Sequence, residues 1–215
     1  MIVGIVGLIG SGKDTIAQMM LNAAEDGVKD SFAASLKDMT AAVFGWDRAM
    51  LEGDTIHNRM MREQVDSYWS VKLGRPNVTP RWALQYIGTE VMRNNLSETI
   101  WLDSFGSRQA KRDPNQLVVV SDARFRNELN LIKNCGGKLI WVQRGELPEW
   151  YEYAAEANKT NNMEHFDEGG KFDYVHASER DWAGYNMFDM IIKNDSTLDD
   201  LKGKVNNIKL WWGIK

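Results

Sequence analysis

The sequence contains a single cysteine, Cys135, so these 215 residues cannot form an internal disulfide bond. Such sparing use of cysteine is typical of a protein that works in a reducing compartment. Cys135 stands near the end of a helix-like stretch. We therefore expect it to be a small buried apolar residue and not a reactive nucleophile.

Long apolar runs and an excess of positive charge are also missing. No run approaches the roughly 20 residues of a membrane-spanning helix. The net charge is −4, whereas modules that bind nucleic acid normally carry a basic excess. We therefore expect neither a membrane nor a nucleic acid as partner. The 4 prolines mark no linker, and we expect a single domain over residues 1–215.

What the sequence does contain is a glycine-rich loop at its start. An apolar run, residues 2–6, leads into Gly7-x-x-x-x-Gly12-Lys13, and a helical pattern follows. In this order of strand, loop and helix, backbone N–H groups and the helix N-terminus surround anionic oxygens, and the lysine adds a full positive charge. The stretch predicts a phosphate-binding loop, or P-loop. One position departs from the usual pattern, because Asp14 follows the lysine and the hydroxyl comes one residue later, at Thr15.

Apolar runs and helical patterns alternate along the rest of the chain. We predict strands at residues 2–6, 28–33, 117–120, 138–142 and 189–192. We predict helices at residues 12–24, 34–44, 79–95, 97–112, 124–135 and 197–210. Alternation of this kind predicts a three-layer α/β/α fold, with a five-stranded parallel sheet covered by helices on both sides. Ligands of such sheets bind beyond the carboxyl ends of the strands.

Two polar stretches interrupt this pattern. Residues 46–78 are mixed in character, and we interpret them as a mobile insertion on the substrate side. Residues 145–175 are also polar, and a long segment of this kind in a compact domain is typical of a lid or flexible loop.

The predicted strand 117–120 is followed by Asp122, Arg124 and Arg126. An aspartate at this position in a P-loop enzyme holds the hydration shell of Mg²⁺, although it can also cap the next helix. The two guanidinium groups match the geometry of phosphoryl oxygens. Further cations near predicted loop ends could neutralise phosphate, or could be solvated surface charges; they are Lys13, Lys37, Arg81, Arg144 and Arg180.

Several motifs together resemble the bacteriophage deoxynucleoside monophosphate kinases. They occur in the family's order and extend from residue 1 to about residue 205. The motifs are Gly-Ser-Gly-Lys-Asp-Thr (10–15), Phe-Ala-x-x-Leu-Lys-Asp (32–38), Arg-x-x-x-Gln-x-x-Gly-Thr (81–89), Ile-Trp-Leu (100–102), Val-Val-x-Asp-x-Arg-x-x-x-Glu (119–128), His-x-Ser-Glu (176–179) and Ile-x-Asn-Asp (192–195).

The resemblance implies a P-loop kinase fold and ATP-dependent phosphorylation of a deoxynucleoside 5′-monophosphate, with Mg²⁺. It assigns ATP binding to Gly10, Ser11, Gly12, Lys13, Asp14 and Thr15. It assigns acceptor binding to Leu36, Lys37, Arg81, Gly88, Thr89, Trp101, Asp122, Arg124 and Glu128. We expect direct roles in transfer for Lys13, Arg81, Asp122, Arg124 and Arg144, and we expect Thr15 and Asp122 to hold Mg²⁺ through water molecules.

Some alternatives stay open. Trp101 is either a core residue or an aromatic wall beside the base. Glu128 either lines the acceptor site or pairs with an arginine on its own helix. We expect nucleotides as small-molecule partners, a monomer or homodimer, and a cytoplasmic location, which is the host cytoplasm if the chain is of phage origin.

Two other functions compete with this one. Phosphomevalonate kinases of the animal type share the Gly-Lys-Asp loop and a similar Phe-Ala-x-x-Leu-Lys stretch, but their acceptor has no base. A nucleotide-dependent switch module would carry Asp-x-x-Gly where Asp122-Ala-Arg-Phe stands, and Asn-Lys-x-Asp in place of residues 193–196. Both switch motifs are missing, which favours a kinase.

Overall fold

A computed structural model describes residues 1–22, 24, 26–163, 166 and 170–214. Within these residues, a parallel sheet of five strands has the order β2-β3-β1-β4-β5. The strands are β1 (Ile2–Val6), β2 (Val28–Asp30), β3 (Val118–Val120), β4 (Lys138–Gln143) and β5 (Met190–Lys193). The parallel sheet and its five strands are confirmed. The predicted β2 was three residues too long at its end.

The helices fall close to the predicted patterns outside the two polar stretches. They are α1 (Lys13–Leu21), α2 (Ala34–Phe44), α3 (Arg48–Glu52), α4 (Ile56–Glu63), α5 (Ser67–Lys72), α6 (Pro80–Gln85), α7 (Ile100–Gln109), α8 (Arg126–Asn134), α9 (Trp150–Thr160), α10 (Ala177–Arg180) and α11 (Leu198–Trp212). Directly after α6, residues Tyr86–Arg93 form a π-helix, in which each turn is one residue wider than in an α-helix.

The chain divides into two compact units. The first unit consists of Met1–Ser31 and Arg112–Lys215 and contains the sheet. Its core forms where the β-branched side chains of the central strands pack against α1 and α11; Val3, Ile5 and Val205 are fully buried there. On the other face of β1, a Cβ at Gly4 would lie 2.7 Å from Ile132 of α8. The expected three-layer architecture, with helices on both faces of the sheet, is therefore confirmed.

The second unit consists of Phe32–Lys111 and is helical in its described residues. The rings of Phe32 and Phe105 lie 4.5 Å apart and bring the start of α2 against α7. Leu51 and Ala83 are fully buried beside other apolar side chains of this unit. The organisation of residues 1–215 as one domain stays a prediction.

Residues 46–78 are more regular than we expected. They contain α3, α4 and α5, each of which begins at a side-chain cap: Asp47 accepts from Ala49 N, Thr55 from Asn58 N and Asp66 from Trp69 N. Such caps satisfy N–H groups that the helix itself leaves unpaired. The polar composition of the segment reflects exposed helix surface, because α4 and α5 bury none of their residues.

Residues 145–175 contain α9, an 11-residue helix that the composition did not reveal. Trp150 and Tyr151 begin this helix and are buried. The first half of α9 therefore packs into the first unit, and this part of residues 145–175 is a helix where we expected a flexible loop. Residues 164, 165 and 167–169 of the proposed lid lie outside the described residues.

The expectation that Cys135 is buried was wrong, because its side chain is exposed. It follows the last residue of α8, and Gly136, with φ 71°, turns the chain back toward β4. A residue at such a helix end faces solvent even when the helix interior is apolar. Among the described residues, we find no helix with the length and apolar character needed to cross a lipid bilayer.

Candidate active site

The P-loop runs from the end of β1 to the first residue of α1. A Cβ atom at Gly7 would lie 2.4 Å from the carbonyl oxygen of Val142, so only glycine fits there. Gly12 has φ 100°, in the left-handed region, and it precedes α1 without any side-chain cap. These two glycines let the loop pass beside β4 and then turn into the helix, as the sequence predicted.

Side chains from two other strand ends hold the carbonyl groups of the loop. Asn194, which follows β5, donates from Nδ2 to the carbonyl of Ser11 at 2.8 Å. Arg144, which follows β4, donates from Nη1 to the carbonyl of Gly10 at 3.3 Å. Lys13 donates from Nζ to the carbonyl of Leu8 at 2.8 Å. These bonds restrain the conformation of the loop.

The Ser11 hydroxyl is the clearest sign that the loop receives a polar ligand. Ser11 is 3% exposed, and its Oγ is buried without a hydrogen-bond partner. An unpaired buried hydroxyl costs free energy, so native proteins rarely keep one without a reason. At Gly10, by contrast, a Cβ would meet nothing within 4 Å, which leaves space beside the loop. A phosphate chain fits this loop, because the Ser11 hydroxyl can donate to it, the space at Gly10 can admit it and the Lys13 ammonium can neutralise its charge.

Two carboxylates lie near the loop, and each accepts a hydrogen bond from a serine. Asp14 Oδ1 accepts from Ser121 Oγ at 2.8 Å, which ties α1 to the end of β3. Asp122 Oδ2 accepts from Ser31 Oγ at 2.5 Å. The Thr15 side chain is exposed in the first turn of α1.

These oxygens suit Mg²⁺, which prefers hard oxygen ligands and usually keeps several waters beside one or two carboxylates and substrate phosphates. Within the part of the chain that the structure describes, no group of three or more His, Cys, Asp or Glu side chains could hold a metal ion. The carboxylates of Asp14 and Asp122 and the Thr15 hydroxyl are oxygen donors of the type that fits an ion shared with substrate phosphates.

The segment after Asp122 is held by a buried glutamate. Glu128 is 2% exposed, and its Oε2 accepts from the backbone N–H groups of Arg124, at 2.8 Å, and Phe125, at 3.2 Å. It thereby caps the start of α8 and places Arg124. The Arg124 guanidinium forms an ion pair with Glu179.

Arg126 has a different environment from Arg124. Its Nε and Nη2 donate to the carbonyl groups of Asp181 and Ala183 at 2.9 and 2.6 Å. These bonds anchor the segment after α10, so Arg126 stabilises this segment and does not present these donors to phosphate. His176 caps α10, because its Nδ1 accepts from Ser178 N at 3.2 Å.

In the second unit, three predicted acceptor residues come together. The Trp101 indole donates from Nε1 to the carbonyl of Gly88 at 2.9 Å. A Cβ at Gly88 would lie 2.7 Å from Leu36 Cδ2, so this glycine allows α2 to approach closely. Trp101 and Leu36 are both buried, and the role of Trp101 beside the base stays a prediction.

Gly88 and Thr89 lie within the π-helix, where the backbone N–H of Asn94 donates to the carbonyl of Thr89. A bond that spans five residues is rare in proteins, and such wide turns occur frequently at functional sites. The sequence predicted an ordinary helix across this region. The two helix types share the same apolar pattern, so the pattern could not distinguish them.

Lys37 belongs to a network of charges in the second unit. Its Nζ donates to Glu52 Oε1 at 2.9 Å, and Arg48 Nη1 donates to Glu52 Oε2 at 2.7 Å. Burial raises the pKa of Glu52, but the charge of Lys37 and hydrogen bonds from Arg48 and Lys37 outweigh that effect and lower the pKa to about 2. Glu52 therefore stays ionised and holds the buried ammonium group of Lys37 in place.

Arg81 lies in the first turn of α6, which Thr79 caps by accepting from Trp82 N at 3.1 Å. The predicted start of this helix at residue 79 is confirmed to within one residue, with Thr79 as the cap and Pro80 in the first turn. Arg81 Nη1 donates to Glu63 Oε1 at 2.9 Å. Both side chains are partly exposed, so a phosphate group could compete with Glu63 for this guanidinium.

Sequence reasoning gave no role to Asn194, Ser31 or Ser121, which the structure places against the P-loop or its neighbouring carboxylates. Each of them directly follows a strand of the observed sheet, β5, β2 and β3 respectively. Position at the carboxyl edge of a parallel sheet was therefore a usable signal, because ligands bind at that edge.

Comparisons with known proteins show the family of this chain. The model of the family described as "Deoxynucleotide monophosphate kinase" matches residues 52–161, just over half of the chain. The chain belongs to the deoxynucleotide monophosphate kinase family. It is therefore a nucleotide-binding phosphotransferase, and the family favours a nucleotide acceptor over phosphomevalonate.

Two relatives carry similar names. A mimivirus protein from Acanthamoeba polyphaga mimivirus, named "Putative deoxynucleotide monophosphate kinase", is 27% identical and covers 95% of this chain and 93% of its own length. The "Deoxynucleoside-5'-monophosphate kinase" of Escherichia phage T5 is 41% identical over 56 residues, which cover 26% of this chain and 22% of the phage protein. Among solved structures, dephospho-CoA kinase from Campylobacter jejuni is 15% identical with a TM-score of 0.44, covering 96% of this chain and 94% of that one.

Proposed function

We propose that this family member transfers the γ-phosphoryl group of ATP to a deoxynucleoside 5′-monophosphate, which yields ADP and the deoxynucleoside diphosphate. The observation that carries the proposal lies in the P-loop. The Ser11 hydroxyl there is buried without a hydrogen-bond partner, two residues before Lys13. Phosphoryl transfer needs little covalent chemistry from the protein. It needs two phosphates held in line and their charge neutralised.

In the first unit, the proposed ATP-binding residues are Gly10, Ser11, Gly12, Lys13, Asp14 and Thr15. We expect the Lys13 ammonium to exchange the carbonyl of Leu8 for a phosphoryl oxygen, and the Ser11 hydroxyl to gain its missing partner. Both changes favour bound ATP, because an ammonium bound to a phosphate forms a stronger hydrogen bond than one bound to a neutral carbonyl.

Mg²⁺ would be held through water molecules by Thr15 and Asp122. When bound, the ion neutralises negative charge on the phosphate oxygens as the bond to the leaving group breaks. Asp122 is suited to this position because it is a carboxylate two residues after the end of β3, in the same unit as the P-loop.

The proposed acceptor residues in the second unit are Leu36, Lys37, Arg81, Gly88, Thr89 and Trp101. Lys37 and Arg81 supply positive charge for the acceptor phosphate. The apolar surface of Leu36 and the indole of Trp101 would set the position of the base. Asp122, Arg124 and Glu128 are also assigned to acceptor binding, and Arg144 to neutralising charge during transfer.

Further parts of the proposal concern organisation. Residues 145–175 would act as a lid and residues 46–78 as a substrate-side insertion in a single domain. The chain would act as a monomer or homodimer on free nucleotides, without nucleic acid or membrane. The viral origin of the named relatives supports a location in the host cytoplasm.

The decisive test is a coupled assay of ADP release across the common ribonucleoside and deoxyribonucleoside monophosphates, with phosphomevalonate as a further acceptor. We expect release with at least one deoxynucleoside monophosphate and none with phosphomevalonate. Lys13→Met should lower kcat by about 10²-fold or more, as loss of a charge-stabilising donor does. A protein that binds ATP but leaves every monophosphate unchanged would contradict the proposal.

Lys204→Met is the matched control for Lys13→Met. Lys204 lies in the same unit and also donates from Nζ to a backbone carbonyl, that of Lys193, at 2.9 Å. Its loss removes a similar hydrogen bond on α11. We expect kcat to stay at the wild-type value in this variant.

A further inference from the structure

A chain of hydrogen bonds in the first unit ends on Asp122. Arg112 Nη2 donates to Asp30 Oδ2 at 3.0 Å. The backbone N–H of Ser31 donates to Asp30 Oδ1 at 2.7 Å, and the Ser31 hydroxyl donates to Asp122 Oδ2 at 2.5 Å. Asp30 and Ser31 are therefore each held by a partner other than Asp122.

Burial makes these contacts rigid. Asp30 is 6% exposed and Ser31 is 7% exposed. A buried carboxylate is costly unless a cation or hydrogen bonds compensate its charge, and Arg112 and the Ser31 N–H do so. Asp30 is also the last residue of β2 and pairs in register with Val120 of β3. The backbone at Ser31 is thus fixed both by the sheet and by the Asp30 carboxylate.

A hydrogen bond to one carboxylate oxygen restricts rotation of the whole group. Asp122 lies beyond the last residue of β3, so the hydrogen bond from Ser31 adds a restraint on its side-chain torsions that the sheet does not provide. Residues that orient a metal-binding carboxylate typically change metal affinity or activity by about 10- to 100-fold when they are replaced.

We propose that Ser31, held by the Arg112–Asp30 ion pair, is a positioning residue that orients the Asp122 carboxylate toward Mg²⁺. The inference rests on the proposed function, because it assumes that Asp122 serves the ion used in phosphoryl transfer. It extends the site to Asp30, Ser31 and Arg112, none of which belongs to the motifs that predicted ATP or acceptor binding.

A second carboxylate in the first unit provides a matched control. Asp189 accepts from Lys133 Nζ and from the backbone N–H of Leu139, each at 2.8 Å. This arrangement repeats the cation and the backbone donor that hold Asp30. It stabilises the amino end of β4, however, whereas ligands bind at the carboxyl ends of the strands.

The experiment compares Ser31→Ala, Ser31→Thr, Arg112→Met and Lys133→Met. Calorimetry measures the Kd for ATP with Mg²⁺ and, separately, in EDTA. Steady-state assays measure the Mg²⁺ concentration that gives half-maximal kcat. We expect Ser31→Ala to reduce the gain in ATP affinity that Mg²⁺ provides by about 10-fold. The Mg²⁺ concentration that gives half-maximal kcat should rise by about 10-fold as well. The Kd in EDTA should not change, and Ser31→Thr should restore the wild-type values because it keeps the hydroxyl.

Arg112→Met should shift both measurements in the same direction, and Lys133→Met should leave both at wild-type values. Equal behaviour of these two variants would overturn the inference, as would a Ser31→Ala variant with wild-type dependence on Mg²⁺. If Arg112→Met does not fold, the comparison of Ser31→Ala with Ser31→Thr decides alone. If the wild-type chain transfers phosphate to no monophosphate, the proposed function is refuted. If the wild type transfers phosphate and Ser31→Ala keeps the wild-type Mg²⁺ dependence, only the positioning role is refuted.

Discussion

Asn194 and Ser11 are separated by 183 residues in the chain, yet the Asn194 amide donates to the Ser11 carbonyl at 2.8 Å. A Cβ at the neighbouring Gly12 would lie 2.5 Å from the same amide nitrogen. The loop after β5 thus contacts the P-loop at the point where it enters α1. This contact preorganises the loop, and preorganisation lowers the free energy needed to bind a ligand.

Replacing Asn194 with leucine should therefore weaken ATP binding. The side chain keeps a similar volume but loses the donor, so the Ser11 carbonyl is no longer held. A hydrogen bond of this kind contributes about 1 kcal/mol, which corresponds to a rise in the KM for ATP of roughly 5-fold. Steady-state kinetics at saturating acceptor would measure it.

Asn130→Leu is the control for Asn194→Leu. Asn130 lies on α8 and accepts from the Tyr185 hydroxyl at 3.0 Å, so the variant also loses one side-chain hydrogen bond. Its KM for ATP should match that of the wild type. If both variants raised this KM equally, the effect would reflect general stability and not the P-loop.

Much of the fold was predictable because its signals are local. The runs that form β1 and β3 are short, rich in β-branched residues and free of polar ones, as is typical of strands covered on both faces. Helix ends were similarly visible, since Thr79 before Pro80 marks a start and Gly136 follows an end. Each signal lies within a few residues of the element that it predicts.

The parts that escaped prediction depend on distant partners or on backbone geometry. Nothing near Asn194 in the sequence indicates Ser11, and nothing near Arg112 indicates Asp30. The π-helix at Tyr86–Arg93 has the apolar pattern of an α-helix, and its wide turn coincides with the close approach of Leu36 to Gly88. Tertiary packing decides such features, so a local pattern cannot reveal them.

Arg81→Ala should lower kcat/KM for the acceptor by about 10²-fold, because a guanidinium that positions a phosphate is lost. Most of the change should appear in the KM for the acceptor, and the KM for ATP should stay constant. Glu63→Gln is the control, since it removes the ion pair of 2.9 Å but keeps the guanidinium. That variant should keep the wild-type KM or lower it. An Arg81→Ala variant with wild-type acceptor kinetics would exclude Arg81 from the site.

The stability of the second unit should depend on pH through Glu52. Its pKa is lowered from 4.5 to about 2 in the folded state, so the unfolded chain takes up the proton first as the pH falls. The stabilisation is therefore complete above about pH 4.5 and is lost as the pH approaches 2. At pH 7, Glu52→Gln should reduce the free energy of unfolding by about 1–2 kcal/mol, a value that allows for partial solvent screening.

Urea unfolding of the wild type and Glu52→Gln at several pH values between 7 and 2.5 would check this dependence. The difference between the two proteins should shrink steadily below pH 4.5. Glu63→Gln should differ from the wild type by no more than ~0.5 kcal/mol at pH 7, because Glu63 and Arg81 form a partly exposed pair. A constant difference for Glu52→Gln down to pH 2.5 would contradict the assigned network.

Gly88→Ala tests whether the contact between α2 and the π-helix matters for the acceptor. The new Cβ would lie 2.7 Å from Leu36 Cδ2, so Leu36 must shift, and overpacking of this kind costs about 1–3 kcal/mol. Gly106→Ala is the control on α7, where a Cβ meets nothing within 4 Å and alanine should stabilise the helix by about 1 kcal/mol. If Leu36 and Gly88 position the acceptor, Gly88→Ala raises the KM for the acceptor and leaves the KM for ATP unchanged. Adding Leu36→Val to the same chain should then bring the KM for the acceptor part of the way back to the wild-type value. Equal changes in both KM values would instead indicate a general loss of folded protein, which thermal unfolding of the two alanine variants would reveal.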